Sequence, residues 1–135
     1  MDSLLSLVRL LACGAIAALL VSAALPQAMA GPGEWEIAKN AASRGERICL
    51  PDPALLTQWE HRAKRCTRTI VNPSPDSAEV HYSCAGGDFG TSRVQVLTPR
   101  SIRVNIQGIA DGLPFGYVIH ARRIGNCANS LSMAR

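Results

Sequence analysis

The stretch "SIRVNIQGIADGLPFGYVIHARRI" (residues 101–124) decides the fold. Apolar and polar residues alternate through both halves, which is typical of β-strands that bury one face. Asp111-Gly112 lies between the halves and is a dipeptide that favours a two-residue hairpin turn. If the aliphatic residues of the first half face the core, this turn sets each of them opposite an inward residue of the second half. The resulting pairs are Ile102 with Ala121, Val104 with Ile119, and Ile106 with Tyr117.

The segments upstream of this hairpin extend the same pattern. Residues 66–71, 78–84 and 89–97 alternate with period two, and the breaks between them are rich in Gly, Pro, Asp and Ser. Breaks this short favour antiparallel pairing, because parallel strands need long crossovers. A three-residue loop at 98–100 places Val96 and Val94 opposite Ile102 and Val104.

Two short strand signals come earlier, "GEWEIAK" (33–39) and "ERICL" (46–50), and the second can return beside the first. The sequence therefore predicts a mainly β (α+β) protein. Its sheet is a curved antiparallel meander of about six or seven strands, with one short helix after the second strand.

The predicted helix lies within "PDPALLTQWEHRAK" (51–64). Asp52 is a good N-cap, and Pro53 fits the first helical position, where its missing N–H costs nothing. The α-helical spacing gathers an apolar face and an outer polar face. The apolar face comprises Leu55, Leu56, Trp59 and Ala63. The polar face comprises Gln58, Glu60, His61 and Lys64.

The first 30 residues have the order of a secretory signal peptide. Arg9 precedes an apolar run over 10–25, and Ala28-Met29-Ala30 is an A-x-A cleavage site. The run is shorter than the roughly 20 residues that span a bilayer. We expect cleavage after Ala30, which leaves one disulfide-stabilised, β-rich domain over 31–135 in the periplasm or outside the cell. An uncleaved membrane anchor is the alternative.

Four cysteines remain after cleavage: Cys49, Cys66, Cys84 and Cys127. An even number of cysteines in an exported chain implies two disulfides, and the spacing of the cysteines along the sequence fits no zinc-binding pattern. In the hairpin over 66–84, Val80 and Tyr82 turned inward lie opposite Ile70 and Arg68, and this register makes Cys66 face Cys84. Cys127 follows a strand that runs the other way and finishes at the opposite end of the sheet. We expect Cys66–Cys84 with Cys49–Cys127. Cys49–Cys66 with Cys84–Cys127 is the rival pairing.

These features resemble a bacterial envelope-protein family known only as a domain of unknown function, number thirty-six seventeen. The likeness rests on Gly33, Trp35 and Glu36, on Cys49 with Pro51, and on "RRIGNC" (122–127). Asn126 stands where that family usually has Asp. The resemblance spans nearly the whole mature chain and implies export and a shared fold, but no activity.

No catalytic, cofactor or metal site stands out. The acid–base candidates near neutral pH are His61, His81 and His120. Glu79 and His81 share a strand face and are interpreted as a solvated pair, because no third group completes a site. Trp35 is assigned to core packing, as is Trp59.

Four residues form a candidate anion-binding face of the sheet, which the predicted register turns outward: Arg93, Arg103, His120 and Arg122. The plainer interpretation is that they only keep the sheet soluble. Nucleic acid is a poor partner because the net charge of +4 is modest and the aromatic content is 4%.

The sequence thus predicts a non-catalytic binding or interaction module of the cell envelope. Its expected partner is an anionic envelope surface or an acidic protein. A small exported hydrolase with an unrecognised site is the alternative function.

Overall fold

A computed structural model describes residues 24–128 and shows one antiparallel sheet. Its seven strands are β1 (Gly33–Ala38), β2 (Glu46–Leu50), β3 (Cys66–Val71), β4 (Ser77–Cys84), β5 (Phe89–Thr98), β6 (Ser101–Ala110) and β7 (Leu113–Gly125). The spatial order is β2-β1-β7-β6-β5-β4-β3. The mainly β fold class is confirmed. β3 to β7 form the expected meander, and the β1–β2 hairpin joins it beside β7.

The central register is confirmed. Ile102 pairs with Ala121, Val104 with Ile119 and Ile106 with Tyr117. Val94 lies opposite Val104, as expected, but the expected three-residue loop at 98–100 is not what sets this register. Thr98 pairs with Ser101 across a two-residue turn, and a bulge after Val96 absorbs the extra residue. The bulge adds one unpaired residue to β5, so Val96 and Val94 still lie opposite Ile102 and Val104 although the turn is one residue shorter than expected.

The helix is a 3-10 helix, Pro53–His61, and its predicted faces are partly wrong. Asp52 caps it through a 3.0 Å hydrogen bond from the Ala54 N–H, as expected. Gln58 has non-helical dihedral angles, and both Gln58 and His61 are buried. The 3-10 helix has three residues per turn, so α-helical spacing assigns its faces incorrectly. The kink at Gln58 rotates the faces further.

The helix packs against β4, β5 and β6 on the inward face of the sheet. One core cluster unites Leu56 and Trp59 of the helix with inward residues of several strands, including Trp35 of β1 and Val104 of β6. Both tryptophans are therefore core residues. The predicted disulfides are confirmed, with Cys49 bonded to Cys127 and Cys66 bonded to Cys84.

Most of the predicted signal peptide, residues 1–23, lies outside the described residues. From residue 24 to residue 128, no helix combines the length and the apolar character needed to span a membrane.

Candidate functional site

The outward face of the central strands carries the candidate anion-binding residues. Arg93 pairs across the strands with Asn105, and Arg103 lies between Gln95 and His120. Arg122 projects from the same face of β7, two residues beyond His120. Cross-strand neighbours on one face have Cβ atoms about 5 Å apart. The register thus brings all four predicted residues onto one continuous surface.

Shallow grooves cross this surface, among them two that together hold all four predicted residues. The first has a volume of about 320 Å³, and its polar lining consists of Ser77, Arg93, Gln95, Arg103 and Asn105. The second has a volume of about 350 Å³, and its polar lining includes Glu36, His120 and Arg122. Guanidinium and amide groups dominate the first groove, so its chemistry suits an anionic or strongly hydrogen-bond-accepting group.

Acidic neighbours reduce the charge at the margins of the outward face. Nη2 of Arg93 lies 3.5 Å from Oε2 of Glu79, and Nη2 of Arg122 lies 3.3 Å from Oε1 of Glu36. Within residues 24–128, no carboxylate lies within ion-pair distance of Arg103. Arg103 is therefore the guanidinium that can pair with an incoming anion without first breaking an internal contact. Sequence patterning alone did not indicate these ion pairs.

Glu79 and His81 form an exposed pair, with Oε1 2.7 Å from Nε2. Hydrogen bonding from His81 holds the pKa of the Glu79 carboxyl below its usual range. Across residues 24–128, no group of three His, Cys, Asp or Glu side chains is arranged to hold a metal. The geometry agrees with a solvated surface pair.

A second polar cluster, buried between the helix and the β4–β5 turn, was missed in the sequence. The ring of His61 is 2% exposed, with Nδ1 3.0 Å from the Tyr82 hydroxyl and Nε2 3.5 Å from Asp88 Oδ2. Lys64 pairs with the same carboxylate oxygen, and Asp88 Oδ1 accepts a 3.0 Å hydrogen bond from the Asp111 N–H. The expectation that His61 faces outward is wrong.

The electrostatics of this buried cluster favour a charged Asp88 and a neutral Tyr82. Hydrogen bonding from Lys64 lowers the pKa of the Asp88 carboxyl. Burial raises the pKa of Tyr82 to about 12. The Asp88 carboxylate is 6% exposed, so a substrate would meet neither it nor the His61 ring in this conformation. The cluster fastens the helix to the sheet.

The residues that carry the family resemblance converge although they are far apart in sequence. Trp35 of β1 lies directly across from Arg123 of β7, whose guanidinium stacks 4.8 Å from the indole ring. The adjacent Arg122 turns to the opposite face and pairs with Glu36. The two consecutive arginines therefore have different roles, one on the inward face and one on the outward face.

No family model, curated protein or solved structure matches the chain. Membership of the envelope family therefore stays a prediction that rests on the motif residues.

Proposed function

We propose that this chain is an exported, non-catalytic binding module of the cell envelope. It acts in the periplasm or outside the cell, after cleavage following Ala30. Its outward face docks on an anionic phospholipid surface. The observation that carries this proposal is the Arg103 guanidinium, which has no acidic partner within residues 24–128 and lies in a groove rich in hydrogen-bond donors.

The expected binding is weak and sensitive to salt. Each basic residue near an anionic membrane contributes about 1 kcal/mol, and the attraction decays within a Debye length of about 10 Å at 0.1 M salt. Glu79 and Glu36 offset part of the charge of Arg93 and Arg122. Arg103 should therefore contribute more than either of the paired arginines.

The buried location of the most enzyme-like groups supports a non-catalytic role. A general base must reach the proton that it removes from a substrate. His61 and Asp88 are almost fully enclosed, and the charged group beside the exposed Glu79–His81 pair is the Arg93 guanidinium, which is not a nucleophile. These observations favour the binding module over the hydrolase alternative.

The test is co-sedimentation of the exported protein with vesicles of neutral or anionic phospholipid at increasing salt. We expect retention on anionic vesicles only, decreasing steeply as salt rises. Replacing Arg93, Arg103 and Arg122 together with Gln should abolish retention. Arg103→Gln alone should weaken it more than Arg93→Gln does.

Arg65→Gln is the matched control, because it removes one exposed positive charge outside the outward face. It should leave retention nearly unchanged. Equal retention on neutral and anionic vesicles, or no effect of the triple change, would contradict the proposal. Salt-sensitive capture by an acidic polypeptide, without vesicle binding, would instead favour an acidic protein partner.

A further inference from the structure

The segment Leu25–Ala30, which precedes the proposed cleavage point, is part of the folded core. It forms a 3-10 turn at Gln27–Met29, and the Met29 side chain is only 5% exposed within the main hydrophobic cluster. Leu25 and Ala28 pack against the same cluster. The domain thus contains a niche for this segment, and Met29 is buried in it.

Arg123 binds the backbone at the end of this segment. Its Nη2 donates to the carbonyl oxygens of Ala30 at 2.9 Å and Gly31 at 3.2 Å, while Nη1 donates to Pro32 at 2.9 Å. The Trp35 ring supports the guanidinium from one side. A side chain at Gly33 would collide with the guanidinium, so the glycine leaves the space that it occupies. Arg123 is thereby held in position for an acceptor at the Ala30 carbonyl.

Cleavage between Ala30 and Gly31 would turn this contact into a charged site. Water adds across the peptide bond, the C–N bond breaks, and the products are a carboxylate on Ala30 and an ammonium on Gly31. One oxygen of that carboxylate is the oxygen that already accepts from Arg123. The new ammonium would form on the Gly31 nitrogen, next to this carboxylate. A guanidinium and an ammonium would then flank one carboxylate.

The niche already opens to one side. A groove of about 380 Å³ runs beside Gln27 and Ala28, and its other walls include Pro75, Val96, Leu97 and Pro99. Leu97 is 51% exposed and is one of three large apolar side chains that are exposed within residues 24–128. Departure of the segment would uncover the surface beneath Met29 and extend this apolar groove. A site of this size is within the usual range for small ligands.

We propose that the chain beginning at Gly31 binds a peptide C-terminus, and that its first occupant is Leu25–Ala30, the C-terminal stretch of the segment that this cleavage releases. The carboxylate pairs with Arg123 and the new N-terminus, and the apolar side chain one residue before it fills the Met29 niche. This inference rests on the cleavage that the proposed function includes. It concerns the inward face and is independent of the phospholipid-binding surface.

The test uses the protein purified after export, with its N-terminus read by intact mass. Synthetic Leu-Pro-Gln-Ala-Met-Ala, as the free acid and as the C-terminal amide, is titrated by calorimetry. The acid should bind more tightly than the amide by on the order of tenfold or more, because the amide loses a charge-assisted hydrogen bond. Met29→Asp in the peptide should abolish binding, since it places a charge in an apolar niche.

Because amidation and Met29→Asp change only the peptide, a folding defect of the protein cannot cause the expected losses of affinity. In the protein, Arg123→Gln should reduce the difference between acid and amide, because the Gly31 ammonium alone is then left to favour the acid. Absence of saturable binding, or equal affinity for acid and amide, would overturn the inference. An intact mass that retains residues 25–30 would also overturn it, because the niche is then permanently filled. The vesicle assay can succeed or fail separately from each of these results.

Discussion

Loss of the Cys49–Cys127 disulfide should destabilise the domain more than loss of the Cys66–Cys84 disulfide. The sequence separations are 78 and 18 residues. In the chain-entropy model, a cross-link stabilises by restricting the unfolded chain, and the effect grows with the logarithm of loop length. The expected losses are about 4.5 kcal/mol for the long loop and about 3.2 kcal/mol for the short one.

The structure gives both cross-links a clear role in the folded state. Cys66–Cys84 closes the β3–β4 hairpin, whose strands are already paired. Cys49–Cys127 joins the edge strand β2 to the end of β7, and β1 lies between those two strands. Cys84 is buried, so a packing loss on its removal acts against the predicted order. If the free energy of unfolding nevertheless falls further without Cys49–Cys127, the loop-length effect outweighs the packing loss at Cys84.

The assay is urea unfolding of two double variants, Cys49→Ala with Cys127→Ala and Cys66→Ala with Cys84→Ala. Replacing both partners leaves no free thiol from the broken pair. The two free energies of unfolding should differ by about 1 kcal/mol, and a two-state fit to each curve provides them. Equal losses, or a larger loss for the Cys66–Cys84 variant, would refute the argument from loop length.

Three further predictions follow from the buried residues. Val104→Ala should cost about 2 kcal/mol by urea unfolding, because the side chain is fully enclosed, and a cost near zero would show that the register is wrong. Because Lys64 lowers the pKa of Asp88, the ionised carboxylate stabilises the fold at neutral pH. That contribution should disappear as pH falls below about 4, and Asp88→Asn should make unfolding less dependent on pH in this range. Burial raises the pKa of both Tyr82 and Tyr117, so neither tyrosine should ionise near pH 10 in the folded protein. Their stabilising effect should decline only as pH rises above 10, and an ultraviolet titration that shows normal ionisation of Tyr82 would contradict its burial.

The sequence by itself determined the features that depend on period and proximity. Alternation fixes which side chains of a strand share a face, so the inward faces of Ile102 and Val104 and the outward face of Arg103 follow from the sequence. The Asp111-Gly112 turn then set the register of the pair. In the separate β3–β4 hairpin, alternation set Val80 opposite Ile70 and thereby Cys66 opposite Cys84.

Only the tertiary structure decided the features that depend on distant partners. Helical period did not reveal the kink at Gln58 or the burial of His61, because packing against Tyr82 and Asp88 selects that conformation. The pairing of β1 with β7 was also hidden in the sequence, since every edge strand offers the same backbone hydrogen bonds.

That pairing determines the use of the two consecutive arginines. Arg122 contacts Glu36, and Arg123 contacts Trp35 and the carbonyl of Ala30. The residues are 86 positions apart in the Arg122–Glu36 contact and 93 apart in the Arg123–Ala30 contact. Local pattern assigns a side chain to a face, but its partner is chosen by the whole chain. The candidate outward face was therefore predictable from the sequence, whereas its ion pairs and the niche held by Arg123 were not.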